Sequence, residues 1–333
     1  NPEEIMPDLT KHSYIVISSR FSTESIVNDI KNYNPEYLDR IIYLNLYEFL
    51  EDDSKLPNKE KLFKTDLKNL QAENLRMLRW YHEFCIENNL RYYLSYGTLL
   101  GAVRHKGFIP WDDDVDISMP FPDYVRFCEI VKQGAPYSFD SILCPNDDLC
   151  LSTIGQLKSN KLIVTQSNFP MICDDYLAID IWPMGGYPND EDESKEYYKE
   201  LANLGDEWKE KVVIPYGTIQ FDVDTYWEMV KKIADAYGKY DYDESEYVGE
   251  MYCGRLGHLR HDLIRRGVNK NNYAEVYLSF EGTELICPEG YDVILRSKYG
   301  NYMKMPDEFE KRTHEFAKNA YIISRDYFNR DTN

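Results

Sequence analysis

Three features of the chain predict an α+β fold, in which strands and helices fall in separate runs. One long amphipathic helix follows Thr65, short apolar strands cluster between 91 and 184, and a second helical run fills 190 to about 267. With 333 residues, 43% of them hydrophobic, the chain can bury a sizeable core in one large or two ordinary domains. It carries no internal repeat and no low-complexity tract.

The first segment reads strand, helix, strand: YIVIS (14–18), a helix from about Ser22 to Tyr33, then RIIYLNLY (40–47). This is a βαβ-like fragment, smaller than a domain and without a GxGxxG or GKT phosphate loop. EDDSKLPNKEK (51–61) reads as a linker, so the expected boundaries are an N-terminal α/β segment over 1–60 and a main domain over 61–333. In the long helix, capped by Thr65 or Asp66 and ended by Asn88-Asn89, the residues Leu67, Leu70, Leu75, Leu78, Tyr81 and Cys85 form one apolar stripe. RYYLS (91–95) is a short strand, Tyr96-Gly97 a sharp turn, TLLGAVRH a brief helix closed by Gly107, and VDISM the next strand. YLAIDIWPM (176–184) is a further strand. An acidic, Tyr-rich helical insertion spans about 190–267, and the stretch 277–306 reads as short strands and turns.

Lys plus Arg number 38 against 58 Asp plus Glu, a formal net charge of −20. Such a surface repels phosphate backbones, which excludes nucleic acid as a bulk partner and requires any anionic substrate to meet a local basic pocket or a bound cation. The seven cysteines are scattered with no CxxC pair, so buried free thiols are expected rather than a disulfide framework or zinc cage. No apolar run approaches the roughly 18 residues of a membrane helix, no integral membrane segment or signal peptide is expected, and the expected location is cytoplasmic.

The chemistry is concentrated in GTLLGAVRHKGFIPWDDDVDIS (97–118). Side chains on a strand alternate faces, so Asp114 and Asp116 share one face while Val115 and Ile117 enter the core. The same alternation in LAIDIW puts Asp180 on one face with Ile179 and Ile181 behind it. If the two strands are neighbours, three carboxylates converge, and one or two hard ions, Mg²⁺ or Mn²⁺, about 3.5–4 Å apart when paired, would neutralise them. Gly97-Thr98 opens a helix whose free N–H groups favour a phosphate. Arg104, His105 and Lys106, two turns on, are candidates to meet a diphosphate, and Gly101 allows close approach of backbone or ligand. Lys158, a lone cation, is a weaker substrate-binding candidate, and Asp112-Asp113 are equally readable as a solvated loop. An EF-hand does not fit, because Ile117 and Asp123 stand where Gly and Glu are needed. Asp-x-Asp also occurs in metal-dependent nucleotide-sugar glycosyltransferases, which remain the alternative.

SYGTLLGAVRHKGFIPWDDDVDISM resembles the signature of the LicD family nearly residue for residue, and AIDIWPM and FEGTELICPEGYDVILRSKYGNYMKMP resemble two further blocks of it, together spanning roughly 65–315. The resemblance implies a nucleotidyltransferase (polymerase-β-like) fold, a small mixed sheet with flanking helices. It implies transfer of phosphocholine or a similar phospho-alcohol from a CDP-linked donor to a glycan or polyol-phosphate acceptor, with CMP released. The fukutin group belongs to the same broader family. By position, Asp114 and Asp116 match the paired metal ligands, Asp180 the third carboxylate, and Gly97-Thr98 the place of Gly-Ser or Gly-Gly. Asp180 or Asp112 is the candidate base. Thr98 departs from the commoner small residue, and Gly97 lies 17 positions before Asp114, a longer gap than usual in the superfamily. Tyr299, Gly300, Tyr302, Arg312 and His314 match the family's closing block without a role that physics assigns. A LicD-like protein acting on membrane-linked glycans would work at the inner face of the membrane.

Overall fold

The computed structural model describes residues 15–17, 41–43, 63–144, 150–166, 173–213, 222–251, 253, 267–306 and 320–322. The expected helix over 22–33, the linker over 51–61, Arg312 and His314 lie outside them. Strands β1 (Ile15–Ile17) and β2 (Ile41–Tyr43) pair in parallel, as a βαβ-like segment requires.

The main body is a mixed sheet with helices around it, an α+β architecture. Its strands are β3 (Phe63–Lys64), β4 (Tyr93–Leu94), β5 (Asp116–Pro120), β6 (Ser138–Asp140), β7 (Gly155–Gln166), β8 (Cys173–Tyr187), β9 (Tyr247–Glu250), β10 (Val268–Asn269) and β13 (Ala320–Ile322), while β11 (Glu275–Phe280) and β12 (Thr283–Pro288) form a separate hairpin. The helices are α1 (Leu67–Glu87), α2 (Tyr96–His105), α3 (Phe121–Val131), α4 (Glu191–Trp208), α5 (Val223–Tyr237) and α6 (Tyr291–Tyr299).

Strand β8 is the axis of the sheet. It takes β7 antiparallel along Cys173–Ile181, β5 in parallel along Asp180–Met184 and β9 antiparallel along Met184–Tyr187. The neighbouring of β5 and β8, conditional in the sequence, is therefore real.

Helix α1 forms where expected. Asp66 caps it, accepting from the Asn69 N–H at 3.0 Å, and no Gly or Pro interrupts it. Its buried face runs through Leu70, Met77, Leu78, Tyr81 and Cys85, joined by the polar Glu73 and Asn74. Glu73 is tolerated inside because Arg76 and the Ser159 hydroxyl satisfy its carboxylate. The six cysteines whose side chains are described are free thiols, five of them buried.

Two expected elements differ. The helical insertion ends at Tyr237, where Gly238 follows. The β-forming Tyr247 and Val248 then return the chain to the sheet as β9, so among the described residues the insertion is helical in α4, α5 and the π-turn Lys209–Val213 between them. The C-terminal stretch holds helix α6 instead of strands and turns alone, because Asp292 and Arg296 pair at i,i+4 (2.7 Å) and Ile294 and Leu295 bury one face. A second apolar cluster joins Tyr197, Leu201 and Trp208 of α4 with Tyr226, Ile233 and Tyr237 of α5 above Tyr187 and Met251. Among the described residues, no helix is long and apolar enough to cross a membrane.

Candidate functional site

Asp116 opens β5 with its backbone bonded on both sides. Its N–H donates to Thr98 Oγ1 (2.9 Å), and its carbonyl accepts from the Ser95 N–H (3.1 Å). The turn that begins α2 is thus laced to the first residue of the acidic strand. Thr98, expected to face a phosphate, spends its side-chain oxygen on this anchor and is buried.

Across the sheet, Asp116 is the register partner of Asp180, and Asp180 in turn faces Gln156 of β7. Partnered residues point to the same face. Gln156 Nε2 donates to Asp180 Oδ1 (3.1 Å), and Trp182 Nε1 donates to Asp116 Oδ1 (2.8 Å), so both carboxylates are oriented.

The preceding loop adds Asp112, Asp113 and Asp114. Among the described residues these are the three carboxyl groups whose oxygens lie within 4.8 Å of one another, a tighter cluster than the expected trio of Asp114, Asp116 and Asp180. Asp113 is 0% exposed, so this is no solvated loop. Helix α1 grips its backbone: Gln71 Nε2 donates to the carbonyls of Asp112 (2.8 Å) and Ile109 (3.4 Å), and Asn74 Nδ2 to that of Asp113 (3.3 Å). Asn74 Oδ1 is buried without a hydrogen-bond partner. Gly97 belongs to the same cluster, since a Cβ there would stand 2.7 Å from Asp112 Oδ2.

The other expected binding residues are placed differently. A Cβ at Gly101 would lie 2.4 Å from the Gly107 carbonyl oxygen, so backbone, not ligand, makes the close approach. Lys106 takes the left-handed conformation (φ +59°) that ends α2, one residue before the expected Gly107, and is exposed. Arg104 donates from Nη1 to the Tyr302 carbonyl (2.7 Å) and from Nε to His105 Nε2 (2.9 Å). Burial, then the Arg104 charge, lower the His105 pKa, so His105 is a neutral acceptor and not a cation for a diphosphate. Lys158 is held between Asp140 and Asp175, each at 2.8 Å, on a side chain only 14% exposed. That bridge gives it a structural partner set in place of the expected substrate.

Sequence reasoning assigned Tyr299 no role and did not mark Glu250 at all. Tyr299, at the end of α6, is 41% exposed as a residue, while burial of its hydroxyl and then the charges of Asp116, Asp112 and Asp114 push the hydroxyl pKa upward. Glu250 of β9 accepts from Ser95 Oγ (2.9 Å), Ser118 Oγ (3.0 Å), Tyr96 OH (3.2 Å) and Lys298 Nζ (2.9 Å). Burial alone would raise its carboxyl pKa; Lys298 and the two serines more than offset this and hold it below the ordinary carboxylate value. No local pattern marks Glu250 or Lys298, because their partners are distant in sequence.

Residues 89–227 match the family model described as LicD/FKTN/FKRP, nucleotidyltransferase domain, a span that contains Gly97, the acidic loop and Asp180. The chain is 27% identical over 273 residues to the lipopolysaccharide cholinephosphotransferase LicD of Haemophilus influenzae, covering 78% of this chain and 99% of that protein. Shorter matches reach uncharacterised proteins of Rickettsia typhi (50% over 52 residues; 16% of this chain, 17% of that protein) and Rickettsia prowazekii (43% over 89 residues; 25% and 34%). With the acidic strand, its parallel partner and the turn before them all inside the matched span, residues 89–227 form a domain of the LicD family, and most of the chain is similar to a LicD phosphotransferase.

Proposed function

We propose that the chain transfers phosphocholine, or a similar phospho-alcohol, from a CDP-activated donor to a hydroxyl of a cell-surface glycan or its precursor, releasing CMP. The observation that carries this is the register of Asp116 with Asp180 beside Asp112–Asp114 at the start of α2, in a chain related over most of its length to a lipopolysaccharide cholinephosphotransferase. A nucleotidyltransferase-like arrangement of the sheet agrees with the family match, and residues 61–333 are proposed as that domain.

Asp114, Asp116 and Asp180, all carboxylates, would hold a hard divalent cation such as Mg²⁺, with Asp112 beside them. Bound there, it would neutralise charge on the phosphoryl oxygens. The chain's own groups do the rest. The first turn of α2 presents backbone N–H groups and the positive end of its dipole to the donor's diphosphate. Arg104 keeps Nη2 for an anion while its other nitrogens fix its position. The acceptor oxygen bonds to the distal phosphorus, the bond from that phosphorus to the CMP oxygen breaks, and the acceptor proton passes to Asp180 or Asp112. The reaction is assigned to the cytoplasm, at the inner face of the membrane, where a CDP-linked donor would meet a membrane-linked glycan.

The test is nucleotide release with Mg²⁺ and a lipopolysaccharide acceptor, across CDP-choline, CDP-ethanolamine, CDP-ribitol and CDP-glycerol, beside UDP- and GDP-sugars. CMP from one CDP donor, lost in EDTA, is the expected result. Release of UDP or GDP moves the chain to the glycosyltransferases, and no release from any donor overturns the proposal.

A further inference from the structure

Glu250 and Lys298 lie outside the matched span 89–227, and the transfer just described makes no use of them. We infer that Glu250 is a positioning residue for that transfer: it fixes the phosphate-binding turn against the carboxylate strand through Ser95, Tyr96 and Ser118, with Lys298 as its counter-charge. The inference rests on the transferase function proposed above.

The geometry is directional on every side. Glu250 Oε1 accepts from Ser95, Ser118 and Lys298, and Oε2 from Tyr96 and Lys298. Ser95 and Tyr96 begin α2, Ser118 stands two residues beyond Asp116 on β5, and Lys298 comes from α6. One carboxylate on β9 therefore ties together three elements that build the site. The pair is withdrawn from water, at 14% and 7% side-chain exposure for Glu250 and Lys298. Mere glue at such a spot is served as well by apolar side chains of similar volume. A carboxylate filled by donors from separate elements instead holds those elements in one geometry.

Two local features bear the mark of that hold. Ser95 occupies the N-cap position of α2, where a serine hydroxyl ordinarily accepts from an N–H of the first turn; here it makes no cap bond and turns to Glu250. The first N–H groups of α2 are left without a side-chain cap, open to an anion. Tyr96 adopts φ +43°, a left-handed conformation rare for a bulky residue, which persists only where its surroundings over-determine it. Those surroundings are the Lys298 ammonium, 3.4 Å from the ring centroid, the Trp182 ring at 5.1 Å, and Glu250 on its hydroxyl. Trp182 in turn donates to Asp116, so the chain of contacts ends on a proposed metal ligand.

Tyr96→Phe and Ser118→Ala each remove one bond to Glu250 without disturbing the charge pair, and Glu250→Gln removes the carboxylate. With CDP-choline as donor, each of the first two variants is expected to lower kcat about tenfold, since small misplacements of reacting groups cost this much or more. Donor Kd should stay within about twofold, because ground-state binding needs the geometry less than the transition state does. The Glu250→Gln/Tyr96→Phe double variant should lose less than the product of the single losses, as residues acting through one another do. Amide exchange at Tyr96–Leu99 should quicken in all variants. Wild-type kcat in Tyr96→Phe and Ser118→Ala, multiplicative losses in the double variant, or unchanged exchange would overturn the inference. Absence of turnover in the wild-type protein overturns the transferase proposal instead, so the two failures are distinguishable.

Discussion

Asp116 and Asp180 are register partners on parallel strands, each with one carboxylate oxygen fixed by a neighbour, Trp182 Nε1 for the first and Gln156 Nε2 for the second. Their placement is set by the sheet and not by a loop, so removing one charge should leave the frame standing. Asp116→Asn is expected to lower CMP release by roughly a hundredfold to a thousandfold, the usual cost of losing one electrostatic contributor at a transition state, with Tm nearly unchanged. Near-normal turnover in that variant would remove Asp116 from the site.

Two glycines of α2 should separate activity from stability. In Gly97→Ala the new methyl lies 2.7 Å from Asp112 Oδ2, the movable end of a side chain, so the carboxylate swings aside. Turnover should fall about tenfold with little change in Tm. In Gly101→Ala the obstacle is the Gly107 carbonyl at 2.4 Å, which is backbone. That variant should lose about 1–3 kcal/mol of stability while keeping its turnover per folded molecule. Calorimetry beside an activity assay reads both, and the reverse pattern would contradict the placement of Gly97.

Gln71 holds the acidic loop from behind by its carbonyls. Outer partners of this kind typically change metal affinity by about 10–100-fold. Gln71→Leu should raise by that factor the Mg²⁺ needed for half-maximal turnover, with a smaller effect at saturating metal. A metal titration superimposable on that of the wild type would deny α1 this role.

Lys158 gives a pH signature. Burial alone would lower its pKa, but Asp175 and Asp140 raise it above the ordinary lysine value. A raised lysine stabilises the fold fully below its unfolded value, about 10.4, and loses that contribution as the pH rises through the folded value. Wild-type Tm should hold to about pH 10 and fall beyond. Lys158→Met should lose about 1–3 kcal/mol at pH 7, the cost of leaving the partly exposed Asp140 and Asp175 without their partner. Its Tm should fall less steeply above about pH 10, with CMP release per folded molecule near normal. A large loss of release in folded Lys158→Met would restore the substrate role expected from the sequence.

Period-two alternation made β5 legible from Asp116 on. Burial alternates just before it too, Asp114 and Asp116 half-buried while Val115 and Ile117 are fully buried, although Asp114 and Val115 lie in the preceding loop and not on the strand as expected. The same held for Asp180 and for the capped stripe of α1. Pairing between strands is tertiary, and only the resemblance hinted at the neighbouring of β5 and β8. Lys158 misled because a lone cation does not announce its partners, which lie 17 and 18 residues away. The β-branched Val293 and Ile294 hid α6, although Asp292 and Arg296 at i,i+4 were a helix signal in plain view. Gln71 and Asn74 lie off the apolar stripe expected for α1, and nothing local could show that a loop some forty residues on would come to rest against them.

The reach of Glu250 has a consequence for the order in which the protein is made. Ser95 and Ser118 meet it across separations of 155 and 132 residues, and Lys298 lies another 48 beyond. A nascent chain that has just displayed the whole acidic loop and Asp180 still lacks the groups that seat the turn at Tyr96. The matched segment is then complete as sequence but not as a working centre. Such long-range closure is slow, and a ribosome-stalled chain ending before 250 should be catalytically silent until the last quarter emerges and docks.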